Sequence, residues 1–335
     1  MKKINVISLF DGMSCGRIAL SRTPFEVENY YSSEIDKHAI KVADDNWTDD
    51  TKNRLGSVTD ITEEQLEAIP KIDLLIGGSP CQGFSFAGKE LGASTKCNKI
   101  ITTLEQYLTL KEQGFEFNGQ SYLFWEYMRI LTTLRKKNPN ILFLLENVLM
   151  QDKWEVILSS AIGVKPIMID STLVSAQVRK RLYWTNIPNV EQPSDKGILL
   201  TDILETNDYP NKATILGRRL NSEGKRKDYD KSIPILQCVE VRASNREKSN
   251  CLTTVAKDCV MTTLPIGRHP DAYGKISGTR LPFRDYTSIE RERLQTVPDN
   301  YTDCVSDNQR GKMLGNGWTV DVIAHILNYI EVEDE

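Results

Sequence analysis

Short apolar runs alternate with amphipathic stretches through the first half of this 335-residue chain, and that alternation constrains its fold most. Ile4 to Leu9 reads as a strand and Ser14 to Arg22 as the helix after it. Val27 to Tyr31 reads as a second strand ending near Glu34, and Asp36 to Trp47 as a helix. Thr62-Glu63-Glu64-Gln65 has the form of a capping box opening a short helix. Ile72-Asp73-Leu74-Leu75-Ile76 reads as a buried strand that Gly77-Gly78-Ser79-Pro80 ends abruptly. Tyr122 to Lys137 has helical spacing, Ile141 to Leu145 is another buried strand and Trp154 to Ile162 a helix. Pro166 to Val174 and Leu182 to Ile187 read as strands. Alternating β and α elements predict an α/β fold with a doubly wound, mainly parallel sheet.

From about Pro193 the pattern changes. Turn residues, short apolar pieces and basic pairs dominate until about Pro282, which predicts a smaller separate module. Helical periodicity returns at Thr287 to Leu294, opened by a second capping box of Thr287 with Glu290. Trp318 to Ile330 is amphipathic, with Val322, Ile323, Ile326, Leu327 and Ile330 on one face. The expected boundaries are 1–192, 193–279 and 280–335, the last segment returning to the first domain. Residues 83–119 form a polar insert with a helical stretch near Thr103 to Gln113, long enough to serve as a mobile lid.

The bulk charge excludes a uniformly basic nucleic-acid binder, since the net charge is −4. Its distribution says more. Between Pro210 and Arg280 there are 14 Lys and Arg against 7 Asp and Glu, an excess of 14 − 7 = 7. The pattern is one basic module on an acidic body, or else a solvated, loop-rich surface. No apolar stretch has the length of a membrane span and the N-terminus lacks a signal-peptide pattern, so the expected location is cytoplasmic. The 7 cysteines include no Cys-x-x-Cys pair. Cys238, Cys251, Cys259 and His269 form the one conceivable zinc cluster, and their spacing fits no common module. No metal is expected, and reduced thiols are the default.

Candidate chemistry gathers where strands end, because ligands of open α/β sheets bind outside the carboxyl ends of the strands. Cys81 follows the Ile72–Ile76 run on a Gly-Ser-Pro turn. It is placed as a nucleophile, with a small buried core residue as the alternative. Phe10-Asp11-Gly12-Met13-Ser14-Cys15-Gly16 is a glycine turn leading into a helix. It is not Gly-x-Gly-x-x-Gly, so a dinucleotide fingerprint is absent. Glu34 ends the second strand about where a ribose hydroxyl partner sits. Together these suit an adenosyl ligand without a pyrophosphate, such as S-adenosylmethionine, or are simply a strand-to-helix turn. Glu146 follows five apolar residues and is expected to be partly desolvated, which suits a proton donor; the alternative is a helix-capping acid. Arg179 and Arg181, two apart on an extended segment, share a face and are placed to orient an anion or base carbonyl, or form a surface patch.

In order along the chain, Phe10 to Gly16, Pro80-Cys81-Gln82, Glu146-Asn147-Val148, Gln177 to Arg181, Glu292 to Gln295 and Leu314-Gly315-Asn316-Gly317 resemble the motifs of the cytosine C5 DNA methyltransferase family. Ile76 to Cys81 and Trp318 to Ile326 also look like the animal de novo methyltransferases. Their regulatory domains are missing here, so the chain looks like a stand-alone bacterial or phage catalytic unit. The resemblance implies DNA methylation, in or out of a restriction-modification pair, with S-adenosylmethionine as cofactor and S-adenosylhomocysteine as product. It implies that Cys81 adds to C6 of a flipped-out cytosine, that Glu146 engages N3, and that Arg179, with Arg181 beside it, steadies the base carbonyl and the carboxylate. Phe10, Asp11, Gly12, Gly16, Glu34, Ile35, Val58, Pro80, Asn316 and Trp318 are the implied cofactor residues. Residues 1–192 become the catalytic and cofactor-binding domain, and 193–279 the target-recognition domain. Within the latter, Lys225-Arg226-Lys227 and the Arg242/Arg246 region are candidate phosphate contacts on double-stranded DNA. A monomer is usual for the family.

The chain departs from the family at two places. The family's Gly-Asp pair, whose Asp contacts the cofactor adenine amine, is Gly56-Ser57 here, leaving Ser57, Asp60 or a backbone contact at Val58 for that role. The common Gly-Phe-Pro is Thr296-Val297-Pro298. Three other functions compete. A tRNA-modifying relative would carry Cys-Phe-Thr, of which Cys251-Leu252-Thr253 is a loose echo. A catalytically dead DNA-binding homologue would have lost Cys81 or Glu146. A nicotinamide oxidoreductase would need the missing fingerprint.

Overall fold

In the computed structural model the described residues are 2–81, 83–84, 92–205, 211–219, 221–223, 225, 227, 229–241, 247–253, 258–261, 267–270 and 283–331. Gln82, residues 85–91 of the expected lid segment and Arg226, Arg242 and Arg246 lie outside them, as do the side chains of Cys238, Cys259 and His269. The chain divides into two compact units: residues 1–170, 180–193 and 320–335, and residues 171–179 and 194–319.

The first unit opens with β1 (Lys3–Leu9), α1 (Cys15–Leu20), β2 (Glu26–Ser33), α2 (Lys37–Asn46), α3 (Glu63–Ala68) and β3 (Leu74–Gly78). It continues with α4 (Leu104–Glu112), α5 (Leu123–Lys137), β4 (Leu142–Val148), α6 (Asp152–Ile162), β5 (Ile167–Asp170) and β6 (Lys180–Thr185). The strands form one sheet in the order β2-β1-β3-β4-β6-β5. β1, β2, β3 and β4 pair in parallel, whereas β6 is antiparallel to β4 and β5. The predicted doubly wound, mainly parallel sheet is therefore present. Central strands are buried on both faces, which is why they read as near-continuous apolar runs. Thr62 and Gln65 make the expected reciprocal capping box on α3, and Asp36 caps α2 through the His38 N–H.

The expected strand over Pro166–Val174 is shorter than predicted. It stops at Asp170 and turns into a 3₁₀ segment, Ser171–Leu173. The Ser171 N–H and hydroxyl both donate to the Arg179 carbonyl, a side-chain and turn pairing that replaces the ladder.

The insert also differs from expectation. Its helix α4 is not a detached lid, because Ile101, Tyr107 and Leu110 are buried in the main core. Glu126, fully buried on α5, accepts from Tyr107 Oη at 2.5 Å, Lys111 Nζ at 2.6 Å and Arg129 Nε at 2.7 Å. Two of these three donors come from α4. The length of the insert beyond a minimal lid thus has a physical account: it supplies a packed helix.

The second unit contains α7 (Leu200–Ile203) and strands β7 (Asn211–Arg218), β8 (Leu236–Val241), β9 (Asp258–Met261), β10 (Gly267–Pro270) and β11 (Phe283–Asp285). These form an antiparallel sheet in the order β10-β8-β7-β9-β11. The sequence pattern there shows only turns and short apolar pieces. Helices α8 (Ser288–Leu294) and α9 (Asp307–Asn316) follow, α8 opened by the predicted Thr287–Glu290 capping box. The chain then returns to the first unit as α10 (Val320–Leu327), which ends before Ile330 and packs on α1, with Arg22 donating to Asp321 at 2.5 Å. No helix among the described residues is long and apolar enough to cross a membrane.

Removing the Glu126 carboxylate leaves Lys111 and Arg129 without their shared buried partner. Glu126→Ala should therefore cost about 3 kcal/mol of unfolding free energy, read as a lower urea midpoint. A loss below about 1 kcal/mol would remove the cluster as the anchor of α4.

Candidate active site

Register brings the candidate groups to one level of the sheet. Leu9 pairs with Gly77, and Gly78 pairs with Glu146. The turns after β1 and β3 and the carboxylate near the end of β4 therefore emerge side by side. Cys81 lies three residues beyond Gly78 and is half-buried.

The Cys81 turn is held from several sides. The buried Asn147 Nδ2 donates to the Ser79 carbonyl at 3.2 Å and to Ser79 Oγ at 3.1 Å, tying the turn to the end of β4. The Cys81 carbonyl accepts from the Phe84 N–H at 2.9 Å. The Gly83 N–H donates to Ser121 Oγ at 2.7 Å, and the Gly92 N–H to the Gly83 carbonyl at 2.9 Å. Phe84 is buried and meets Trp154 edge to face, with centroids 5.9 Å apart. Gly92 has φ +59°, and a Cβ there would run into the Trp154 ring. Both described ends of the loop after Cys81 thus rest on Trp154. Sequence reasoning missed this brace, along with Ser121 and the role of Asn147. The only available signals were the Glu-Asn-Val motif itself and a glycine placed before an apolar insert residue.

Glu146 is 9% exposed, and its Oε1 receives Arg181 Nε at 3.0 Å. The sequence placed Arg179 and Arg181 on one face for a shared task. In the structure Arg181 lies on the carboxylate. Arg179 belongs to the second unit, where it is buried and donates to the carbonyls of Leu252 (3.1 Å), Gly315 (3.4 Å) and Gly317 (2.8 Å). It thereby braces the backbone on either side of Asn316. Gln295 assists: its Nε2 donates to the Leu314 carbonyl at 2.6 Å, and its Oε1 accepts from Gln177 and from the Thr319 hydroxyl. Glu292, fully buried, accepts from the Asn300 and Thr302 N–H groups and from Arg310. Trp318 is buried in the same unit.

The turn after β1 is tightly wound. Phe10 and Ser14 have positive φ (57° and 63°), and Gly12 between them has φ +57°. Two side-chain-bearing residues in the left-handed region are costly locally and mark an over-determined turn. Asp11 does the fixing: its carboxylate accepts from Ser14 Oγ at 2.5 Å and from Tyr30 Oη at 2.6 Å. Burial pushes the Asp11 carboxyl above its ordinary value and nearby Glu34 adds to the rise, against the lowering by its hydroxyl partners. Glu34 is clamped by backbone: Oε2 accepts from the Gly12 N–H at 2.8 Å, and Oε1 from the Ile35 and Asp36 N–H groups at 2.7 and 2.8 Å. Ile35 next to it is 70% exposed. Gly16 and Val58 are buried, and Pro80 is half-buried.

This donor set fits an adenosyl group. A carboxylate oriented by three N–H groups retains lone-pair capacity on Oε2 for a hydroxyl. An exposed apolar side chain adjoins it, and a Cβ on Gly12 would meet nothing within 4 Å, so the turn is open there. Among the described residues no group of three His, Cys, Asp or Glu side chains is placed to hold a metal.

The chain matches C-5 cytosine-specific DNA methylase over residues 4–154 and 169–331. It belongs to that family. Orphan methyltransferase M.Rho11sI of Bacillus phage rho11s is 35% identical over 148 residues, which cover 44% of this chain and 24% of that protein. Type II methyltransferase M1.ScrFI of Lactococcus lactis subsp. cremoris is 36% identical over 146 residues, covering 44% and 29%. Type II methyltransferase M.NgoBV of Neisseria gonorrhoeae is 28% identical over 216 residues, covering 62% and 47%. The matched stretches thus span less than half of each relative's length. Entamoeba histolytica methyltransferase EhMeth shares the fold at TM-score 0.64 and 15% identity, covering 98% of both chains. A mutant form of Spodoptera frugiperda DNMT2 does so at TM-score 0.61 and 16% identity, covering 98% of this chain and 99% of that one. The fold is that of the S-adenosylmethionine-dependent methyltransferases.

Gly92→Ala forces both a positive-φ alanine and a clash with Trp154. It should cost at least about 1–3 kcal/mol, and pairing it with Trp154→Ala in a double-mutant cycle should recover part of that loss. Asp11, with its folded-state carboxyl raised, contributes stability that is full below the unfolded value of about 3.9 and is lost as pH rises through the raised value. Asp11→Asn should remove this fall, so the difference between wild-type and variant urea midpoints should change with pH in that interval. A constant difference would contradict it.

Proposed function

We propose that this protein transfers a methyl group from S-adenosylmethionine to C5 of a cytosine in duplex DNA, through a transient covalent bond from Cys81. The observation that carries the reading is the register that puts the Cys81 turn beside a buried Glu146–Arg181 pair, in a chain belonging to the C-5 cytosine-specific DNA methylase family. The type II and orphan methyltransferase names of its relatives support a DNA-modifying role.

The chemistry follows from the groups present. Cytosine C5 is a poor nucleophile until C6 is attacked. Cys81 Sγ, as thiolate, forms a bond to C6 and pushes the ring electrons toward C5 and N3. Glu146 engages N3 and withdraws electron density at that moment, and Arg181 fixes its orientation. The cofactor, when bound, supplies an electrophilic methyl on sulfur, leaving as a neutral thioether. Transfer of the C5 proton to a water molecule restores the C5–C6 double bond and expels the Cys81 thiolate. A stacked base cannot reach a half-buried thiol, so the cytosine is flipped out of the duplex. Phe10, Asp11, Gly12, Glu34 and Ile35 hold the adenosyl end.

Residues 193–279 act as the target-recognition segment, in which Lys225 and Lys227 on the β7–β8 connection touch phosphates and the exposed Tyr229 lies beside them. The protein acts as a monomer on DNA.

The test is transfer of labelled methyl from S-adenosylmethionine to mixed-sequence duplex DNA and, in parallel, to tRNA. Wild type should label DNA and Cys81→Ser should label neither. Glu146→Gln should lower kcat by about 10²–10⁴-fold. Labelling of tRNA alone would replace DNA by RNA as the substrate, and labelling of neither would leave a binding protein.

A further inference from the structure

Lys248 belongs to the basic stretch that the sequence reads as a DNA-binding module, but its half-buried side chain is turned onto the protein. Nζ donates to the carbonyls of Thr172 at 2.9 Å, Ser175 at 3.1 Å and Ile198 at 2.5 Å. An ammonium has three N–H donors and no acceptor. All three are given to the backbone of the second unit, and none is left for a phosphate. Three main-chain oxygens converging on one point form a seat for a cation, which the chain fills with its own side chain.

The residues on either side of Lys248 are tied down by main chain. The Leu200 N–H donates to the Glu247 carbonyl at 2.6 Å, the Ser249 N–H to the Ala176 carbonyl at 2.6 Å, and the Val178 N–H to the Ser249 carbonyl at 2.9 Å. Residues 248–252 therefore run alongside 176–179, in parallel where Gln177 meets Ser249. Gln177 Oε1 accepts from the Leu252 N–H at 2.7 Å, and Arg179 Nη1 donates to Cys251 Sγ and to the Leu252 carbonyl, both at 3.1 Å. With its other terminal nitrogen Arg179 holds the Gly317 carbonyl. The 176–179 stretch then runs directly into β6, whose Arg181 meets Glu146. A slip of residues 248–252 would thus be felt at Gln177 and Arg179, directly before the strand that orients the carboxylate.

We propose that Lys248 is a positioning residue for methyl transfer and not a phosphate contact: its ammonium, seated on three carbonyls, fixes residues 248–252 against the Gln177–Arg181 stretch. This rests on the methyl-transfer reading above. The seat asks for N–H donors radiating from one nitrogen. Truncation to alanine leaves the three carbonyls facing a channel of propylammonium size, open to solvent because Lys248 is only half-buried. A soluble alkylammonium ion can refill it. A cation without N–H groups cannot.

The test is labelled-methyl transfer to saturating mixed-sequence duplex DNA by the full chain, with Lys248→Ala and Lys248→Met alongside. Both variants should lower kcat by about 100-fold, while the slope of log Kd for DNA against log salt stays that of wild type. At constant ionic strength n-propylammonium should restore most of the kcat of Lys248→Ala, and tetramethylammonium should not. Lys248→Met keeps the packing of the stem, should fold as wild type does, and should gain from neither ion because the channel is filled. Without DNA or cofactor, alkylation of Cys251 by iodoacetamide, read on its peptide by mass spectrometry, should be about tenfold faster in both variants. A salt slope shallower by about 0.9 would make Lys248 a phosphate contact and overturn the proposal. Wild-type kcat in either variant overturns it too, even with faster Cys251 alkylation, which would leave the seat a structural brace. So does rescue of Lys248→Ala by both ions or by neither. If wild type itself transfers no methyl to DNA, the function reading falls and the proposal with it.

Discussion

The register of the parallel strands is the constraint on which the rest of the molecule depends. Leu9 opposite Gly77 and Gly78 opposite Glu146 bring three strand ends to one level. A shift of one residue would turn each inward side chain to the opposite face and separate the thiol turn from the carboxylate. Both faces of β1, β3 and β4 are buried, so that register is held by packing on both sides of the sheet. Chemistry at the sheet edge is therefore paid for by packing in the sheet interior.

Around that fixed edge, polar side chains serve mostly to hold backbone. Asn147 holds Ser79, Asp11 holds the turn after β1, Glu34 gathers three N–H groups, and in the second unit Arg179 and Gln295 hold the carbonyls around Asn316. Residues that a motif comparison groups as catalytic thus divide into two kinds. In the proposed reaction Cys81 and Glu146 present reactive atoms, whereas Arg179 and the Glu292–Gln295 stretch fix the chain that carries others.

Much of this was legible in the sequence. The sheet, its helices and both capping boxes follow from periodicity and cap chemistry, and Cys81, Glu146 and Glu34 fall at or just beyond the ends of strands that the sequence pattern marks. Where reasoning along the chain fell short, the decisive partner was remote. The insert helix looked like part of a lid because its anchor, Glu126, lies on the next helix and looks like any charged residue on an amphipathic surface. The strands of the second unit were missed because short strands between long connections show little periodicity.

The sequence by itself determined the family, the strand-end positions of the candidate groups and the secondary structure of the first unit, since each is set by local pattern or by motif order. Only the tertiary structure decided that Arg181 meets Glu146, what braces the loop after Cys81 and what anchors the insert helix. Those depend on distances between residues far apart in the chain, or on the direction of a hydrogen bond, and neither is written in the spacing of amino acids.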